Sequence, residues 1–321
     1  MPNFSTILSV SLNILFLALG FGLLAKGADF FVDGASSIAK RFKIPQIVIG
    51  LTIVAMGTSM PEAAVSIKAA ISGNADISIG NVVGSNILNI LLILGVSSVI
   101  FPLVIKKLTQ RVDIPIVMGA TAILFVLGLF EKIFFWGGII MLLAFGGYLT
   151  YLFFVAKKNK DNEDETKIKD MPVWKSIIFV ILGIIMIVLG SEFSVETATN
   201  LAKMAGWSDA FIGLTIVALG TSLPELFTSV MAAIKKNSDI AVGNIVGSNI
   251  FNILFILGVT SLIVPINFAP SFLIDTVVSF VCALLLLVLS LFGGKLRRWG
   301  GAIMLVSYVG YFIYLYVTQI A

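Results

Sequence analysis

Thr58, Ser59, Pro61 and Glu62 close one apolar run, and Thr221, Ser222, Pro224 and Glu225 close another. The stretch from Gly50 to Glu62 matches the stretch from Gly213 to Glu225 at every position except Met56/Leu219 and Met60/Leu223. A carboxylate inside an apolar helix is costly and needs a partner. A proline there has no N–H, so the carbonyl at Gly57 loses its helical donor. Read as helices, Ala55, Thr58, Ser59 and Glu62 share one face, as do Ala218, Thr221, Ser222 and Glu225. On the next apolar runs, Ser85 and Asn89 share a face, and so do Ser248 and Asn252. The donor set is entirely oxygen: two carboxylates, hydroxyls, amides and freed backbone carbonyls. Hard cations take such a set, and calcium takes about 6–8 oxygens in flexible geometry. Magnesium fits less well because it holds its waters. Two carboxylates balance one divalent charge, and several sodium ions can replace it on the same groups.

The elements that carry these residues are membrane helices. The chain is 59% hydrophobic and 12% charged, and ten apolar runs each long enough to cross a bilayer recur along it. They fall at 5–28, 45–71, 77–100, 114–130, 133–156, 174–200, 209–235, 241–263, 271–292 and 298–318. The start of the chain has no basic region and no cleavage signal, so 5–28 reads as a retained helix. There is no histidine, and the lone Cys282 excludes an internal disulfide. Soft-metal sites are therefore not expected. The net charge of +4 calls for no nucleic-acid partner, because the basic residues follow topology. Most of the 21 lysines and arginines fall on one side if both termini lie outside and the central loop lies in the cytoplasm.

Shifted by 163, the sequence aligns with itself without a gap from Gly20 to Pro102. Gly80-Asn81-Val82-Val83-Gly84-Ser85-Asn86-Ile87 falls on Gly243-Asn244-Ile245-Val246-Gly247-Ser248-Asn249-Ile250. Five spans separate equivalent points, and an odd number reverses direction. The expected fold is an all-α membrane protein of ten transmembrane helices, built as two inverted-topology five-helix repeats. The first repeat is 1–156, the cytoplasmic linker 157–173 and the second repeat 174–321. Inverted repeats of this kind place their site at the repeat interface near the midplane.

Other features have plainer readings. Lys26, Asp29 and Asp33 read as polar residues at the inner end of the first span, and Glu192 and Glu196 as their outer counterparts. Asp76 and Asp239 read as helix caps. The charged segment from Lys157 to Lys175 lacks apolar residues and the EF-hand spacing, so it reads as a solvated linker. Spans four, five, nine and ten read as scaffold. Asn89 and Asn252 have an alternative role in interhelical hydrogen bonding. Asn81, Asn86, Asn244 and Asn249 are open between packing and gating.

The doubled, inverted Gly-Thr-Ser-x-Pro-Glu and Gly-Asn-x-x-Gly-Ser-Asn-Ile motifs resemble the α-repeats of the sodium/calcium exchangers, in the cation/calcium antiporter superfamily. The resemblance covers nearly the whole chain, in the form of the prokaryotic members. It implies that Glu62 and Glu225 are shared between calcium and sodium sites, with carbonyls of Thr58 and Thr221 completing the calcium shell. It further implies sodium contacts from the carbonyls of Ala55 and Ala218 and from Ser59, Ser222, Ser85 and Ser248, with Asn89 central. The family's usual ratio is three sodium ions per calcium, by alternating access with the first and sixth spans sliding. Some relatives carry aspartate where this chain has Asn252, an acid tied to potassium transport in the potassium-dependent branch. Asparagine here argues against obligatory potassium coupling. The short linker leaves no room for the regulatory calcium-binding domains of animal exchangers.

The function expected is therefore an electrogenic sodium/calcium antiporter of the inner membrane. Its metal-binding residues would be Glu62, Glu225, Thr58, Thr221, Ser59, Ser222, Ala55, Ala218, Ser85, Ser248, Asn89 and Asn252. Its partners are calcium, sodium and lipid, with no cofactor, no nucleic acid and no obligate protein partner. A calcium/proton antiporter and a passive cation channel are the alternatives. An intramembrane enzyme has little support, because no nucleophile–base pair is visible.

Overall fold

The computed structural model describes residues 4–74, 76–158, 169–207, 216 and 218–319. The beginning of the seventh expected span and most of the linker lie outside the described residues. The fold is helical: α1 (Phe4–Phe42), α2 (Gln46–Thr58), α3 (Met60–Ile71), α4 (Ile77–Ile100), α5 (Thr109–Gly128) and α6 (Phe135–Lys158), then α7 (Val173–Met204), α8 (Ala218–Thr221), α9 (Leu223–Ile234), α10 (Ser238–Ile263), α11 (Pro270–Leu291) and α12 (Arg298–Gln319). Among the described residues eight helices are long and apolar enough to cross a membrane. A ninth span is the pair α2 and α3, bent by 47°. The apolar stretch of α10 is 94% buried and that of α4 is 72% buried, so these two helices form the centre.

α1 and α7 cross antiparallel along a stripe of small residues. Gly20, Gly27 and Gly34 stand seven apart, on one face, and oppose Gly190, Gly183 and Ser176 respectively. A Cβ at Gly183 would lie 2.7 Å from the Phe31 nitrogen and 2.8 Å from the Gly27 oxygen, so the backbones touch. Small residues permit such approach where lipid supplies no hydrophobic drive. Two short antiparallel strand pairs tie distant loops together: β1 (Leu103–Val104) with β4 (Lys295–Leu296), and β2 (Lys132–Ile133) with β3 (Ile266–Asn267).

Two expectations need correction. The first helix continues past 28 to Phe42, so Asp29 and Asp33 are interior to it. Their charges are neutralised from far along the chain: Lys235 Nζ sits 2.7 Å from Asp29 and 2.5 Å from Asp33, and Lys169 sits 2.6 Å from Asp33. The bond to Asp33 raises the pKa of Lys169 above its usual value. Secondly, the cap of α10 is Asn237, whose side chain accepts from the Ile240 N–H at 3.1 Å. Asp239 lies within the first turn and pairs with Lys106. The side chain of Asp76 lies outside the described part of the structure.

Lys235→Met should be costly because it removes the one cation shared by Asp29 and Asp33, leaving each carboxylate with only a more exposed lysine, Lys26 or Lys169. Roughly 2 kcal/mol is expected, between the values for exposed and buried pairs. Thermal unfolding of the purified protein reads it. The Lys26→Met control, which breaks an exposed pair within one helix, should shift the midpoint much less.

Candidate functional site

Each broken helix is a product of its own sequence. Ser59 leaves helical geometry (φ −83°, ψ 8°), and Pro61 stands in the first turn of α3. Ser222 does the same (φ −93°, ψ 5°) before Pro224 in α9. Proline is well placed there, where its missing N–H would have no helical partner. Glu62 and Glu225 follow in the first turns of α3 and α9. Both are fully buried, and among the described residues neither is in an ion pair.

The two carboxylates are held crosswise. Ser222 Oγ donates to Glu62 Oε1 at 3.1 Å, and Ser59 Oγ donates to Glu225 Oε1 at 2.7 Å. Ser85 Oγ also reaches Glu62 Oε1 at 3.3 Å, and Ser248 Oγ reaches Glu225 Oε1 at 3.5 Å. Ser85 and Ser222 hydroxyls lie 2.9 Å apart. Each glutamate is thus oriented by serines from both repeats.

The asparagines form a second layer between α4 and α10. Asn86 Nδ2 donates to the Asn249 carbonyl at 3.1 Å, and Asn249 Nδ2 returns a bond to the Asn86 carbonyl at 3.2 Å. Asn89 Nδ2 donates to Asn249 Oδ1, and Asn252 Nδ2 to Asn86 Oδ1, both at 3.1 Å. These bonds use one amide N–H of Asn89 and one of Asn252 and leave their oxygens without a hydrogen-bond partner among the described residues. Asn81 and Asn244 instead brace the glutamate-bearing helices: Asn81 bonds Ser66 Oγ at 3.0 Å, and Asn244 bonds Ser229 Oγ at 2.9 Å.

Among the described residues, four oxygens of these glutamates and asparagines are buried and have no hydrogen-bond partner: Glu62 Oε2, Glu225 Oε2, Asn89 Oδ1 and Asn252 Oδ1. All four are acceptors. Buried polar groups are normally paired, and a set made only of acceptors is completed by a cation. Thr58 Oγ1 lies within 2.9 Å of Asn244 Oδ1 and 3.2 Å of the Ala55 carbonyl. That carbonyl also faces Ser248 Oγ at 3.4 Å. Ala218 opens the short α8 and Thr221 ends it, directly before Ser222. Among the described residues no cluster of three or more His, Cys, Asp or Glu occurs, so the oxygens come from mixed groups.

Sequence reasoning missed the π-helical turns. Three of them lie at the site, Gly50–Val54, Asn89–Leu94 and Phe251–Leu257, immediately before Ala55 or around Asn89 and Asn252. Such turns often occur at functional sites. No residue type marks them, and only their position beside the polar residues would have drawn attention.

Residues 12–154 and 175–317 match the family model described as sodium/calcium exchanger protein. The chain is 37% identical to the putative antiporter CaxA of Alkalimonas amylolytica over 92% of its length and 96% of that protein. It is 34% identical to the sodium/calcium exchanger MaX1 of Methanosarcina acetivorans, over 96% and 99% of the two chains. The structure is similar to that of the sodium-calcium exchanger NCX_Mj soaked with 10 mM Na+ and zero Ca2+. The TM-score is 0.82 at 33% identity, covering 97% of this chain and 100% of that one.

Proposed function

The chain belongs to the sodium/calcium exchanger family, and we propose that it is a ten-span secondary antiporter that exchanges three sodium ions for one calcium by alternating access. The observation that carries this reading is the set of four unpartnered acceptor oxygens on Glu62, Glu225, Asn89 and Asn252. Two carboxylates balance one calcium. The Thr58 and Thr221 carbonyls raise its oxygen count toward what calcium takes. Sodium ions spread over the same carboxylates, the Ala55 and Ala218 carbonyls and the hydroxyls of Ser59, Ser222, Ser85 and Ser248. Shared ligands make the two cargoes exclusive, which couples their movements.

The two halves, 1–156 and 174–321, are inverted repeats joined by a cytoplasmic linker, with both termini outside. The reciprocal Asn86–Asn249 bonds and the crosswise serine–glutamate bonds fit a twofold relation between them. The glycine stripe between α1 and α7 lets that pair slide as one unit across the mouth of the site. Exchange of three charges for two moves one net charge, so a potential of 100 mV biases each cycle by about 2.3 kcal/mol.

The test is radioactive calcium uptake into proteoliposomes loaded with sodium and diluted into sodium-free buffer. Uptake should require internal sodium, ignore a pH gradient, accelerate when the interior is made positive and slow when it is made negative, because each cycle carries one net positive charge out. Uptake driven by a pH gradient alone would overturn sodium coupling. Uptake insensitive to potential would overturn the ratio of three to one.

Asn252 sets a further expectation. It contributes a neutral amide, so sodium-driven uptake should proceed at full rate in vesicles free of potassium. Asn252→Asp adds a third carboxylate to the site and should alter the sodium dependence of uptake. A wild-type requirement for potassium would contradict this assignment.

A further inference from the structure

The scaffold helices hold a buried acid that transport does not use. Asp113, in the first turns of α5, is 2% exposed. Tyr148 and Tyr151 stand on α6, which packs against α5. The two rings stack with centroids 6.2 Å apart and 27° between planes. Asp113 Oδ1, Tyr148 OH and Tyr151 OH are all buried and have no hydrogen-bond partner among the described residues. Thr109, a helical turn before Asp113, is buried in the same turn.

The second half contains the same arrangement in a closed form. Tyr311 and Tyr314 stack with centroids 6.3 Å apart and again 27° between planes. Tyr311 OH donates to Asp275 Oδ1 at 3.0 Å. The tyrosines follow the 163-residue repeat, while the aspartates are 162 apart. The odd residue falls where the first half has a π-helical turn, Thr109–Asp113. A π turn holds one residue more than an α turn, so it re-aims the side chains beyond it.

A buried acid beside a phenol has a simple solution, the direct bond that Tyr311 donates to Asp275. In the first half the three oxygens stand on the same pair of packed helices, all buried, and no hydrogen bond joins them among the described residues. We propose that Asp113, Tyr148 and Tyr151, with Thr109, bind one monovalent cation at a site separate from the central one. One carboxylate balances a single positive charge, and phenol and hydroxyl oxygens are hard ligands suited to sodium. The ion would bridge α5 and α6 and stabilise the frame against which α1 and α7 move.

The test uses the purified Glu62→Gln/Glu225→Gln protein, in which the central carboxylates are gone. Its thermal midpoint is measured in sodium chloride and in choline chloride at equal ionic strength. Sodium should raise it by about 3 °C at ten times the dissociation constant. Adding Asp113→Asn should remove the rise, and adding Asp275→Asn should leave it. Sodium-induced change in tyrosine near-ultraviolet absorbance of the protein with intact glutamates gives a second readout, because the central residues include no tyrosine. Tyr148→Phe, which keeps the ring and its packing, should diminish that signal. A midpoint that ignores sodium, a rise that survives Asp113→Asn, or an absorbance change untouched by Tyr148→Phe would each overturn the site.

Discussion

Glu62→Gln is expected to reduce sodium-driven calcium uptake more than 100-fold, and Glu225→Gln to match it. Glutamine has the shape of glutamate and keeps an oxygen to accept from Ser222 and Ser85. What it loses is the charge. Calcium would then face one carboxylate in place of two, in a site closed to water. Removing one member of a buried ion pair costs about 3–5 kcal/mol, and 1.4 kcal/mol is a factor of about ten. The effect should be nearly equal for the two residues, because each carboxylate has one serine-held oxygen and one unpartnered oxygen. Uptake by proteoliposomes measures it, with size-exclusion profiles showing that the variants remain folded. Ser59→Ala and Ser222→Ala should be milder, about tenfold, since each removes one hydrogen bond worth about 1.5 kcal/mol when it reaches a charged group. Near-normal transport by either glutamine variant would remove that residue from the ion site.

The glutamates and their partners were legible because a costly residue appears twice in matched surroundings. Hydropathy alone can hide one intramembrane acid. It does not hide two with the same Thr, Ser and Pro neighbours. The glycines that close α1 on α7 were also present in the repeat, as Gly20 falls on Gly183. Their role was not, since the contact partner is set by tertiary packing.

Three other features escaped for physical reasons. Asp29 and Asp33 looked like a helix end because a window of sequence sees charge and cannot see Lys235, two hundred residues on, that cancels it. The π turns at Asn89 and Phe251 reflect backbone bonding that no side chain announces. Asp113 and its tyrosines lie in runs so apolar that they read as scaffold, and a one-residue offset takes the aspartate out of register with the repeat. For the two sets of acids the missing information was a contact between distant parts of the chain, and for the π turns it was the local backbone bonding itself.

Gly247→Val is expected to abolish transport and destabilise the protein, although the residue offers no ligand. A Cβ at Gly247 would lie 2.6 Å from the Leu51 carbonyl, 2.7 Å from the Ala55 Cβ and 2.8 Å from the Leu51 Cα. These are largely backbone atoms of α2, which cannot rotate away as a side chain tip would. The helix must move instead. Ser248, the next residue, bonds both Glu225 and the Ala55 carbonyl. Separating α10 from α2 therefore pulls these bonds apart at the same time. Overpacking a well-filled interior costs about 1–3 kcal/mol, and contact against backbone belongs at the upper end. Gly146→Ala is the control, because a Cβ there meets nothing within 4 Å. It should transport normally and hold or slightly raise the thermal midpoint, since alanine favours the helix by about 1 kcal/mol. Calcium uptake and thermal unfolding, measured on both variants, separate the two cases. If Gly247→Val transported like the unmodified protein, α2 and α10 would not be in the close contact on which the geometry of the ion site depends.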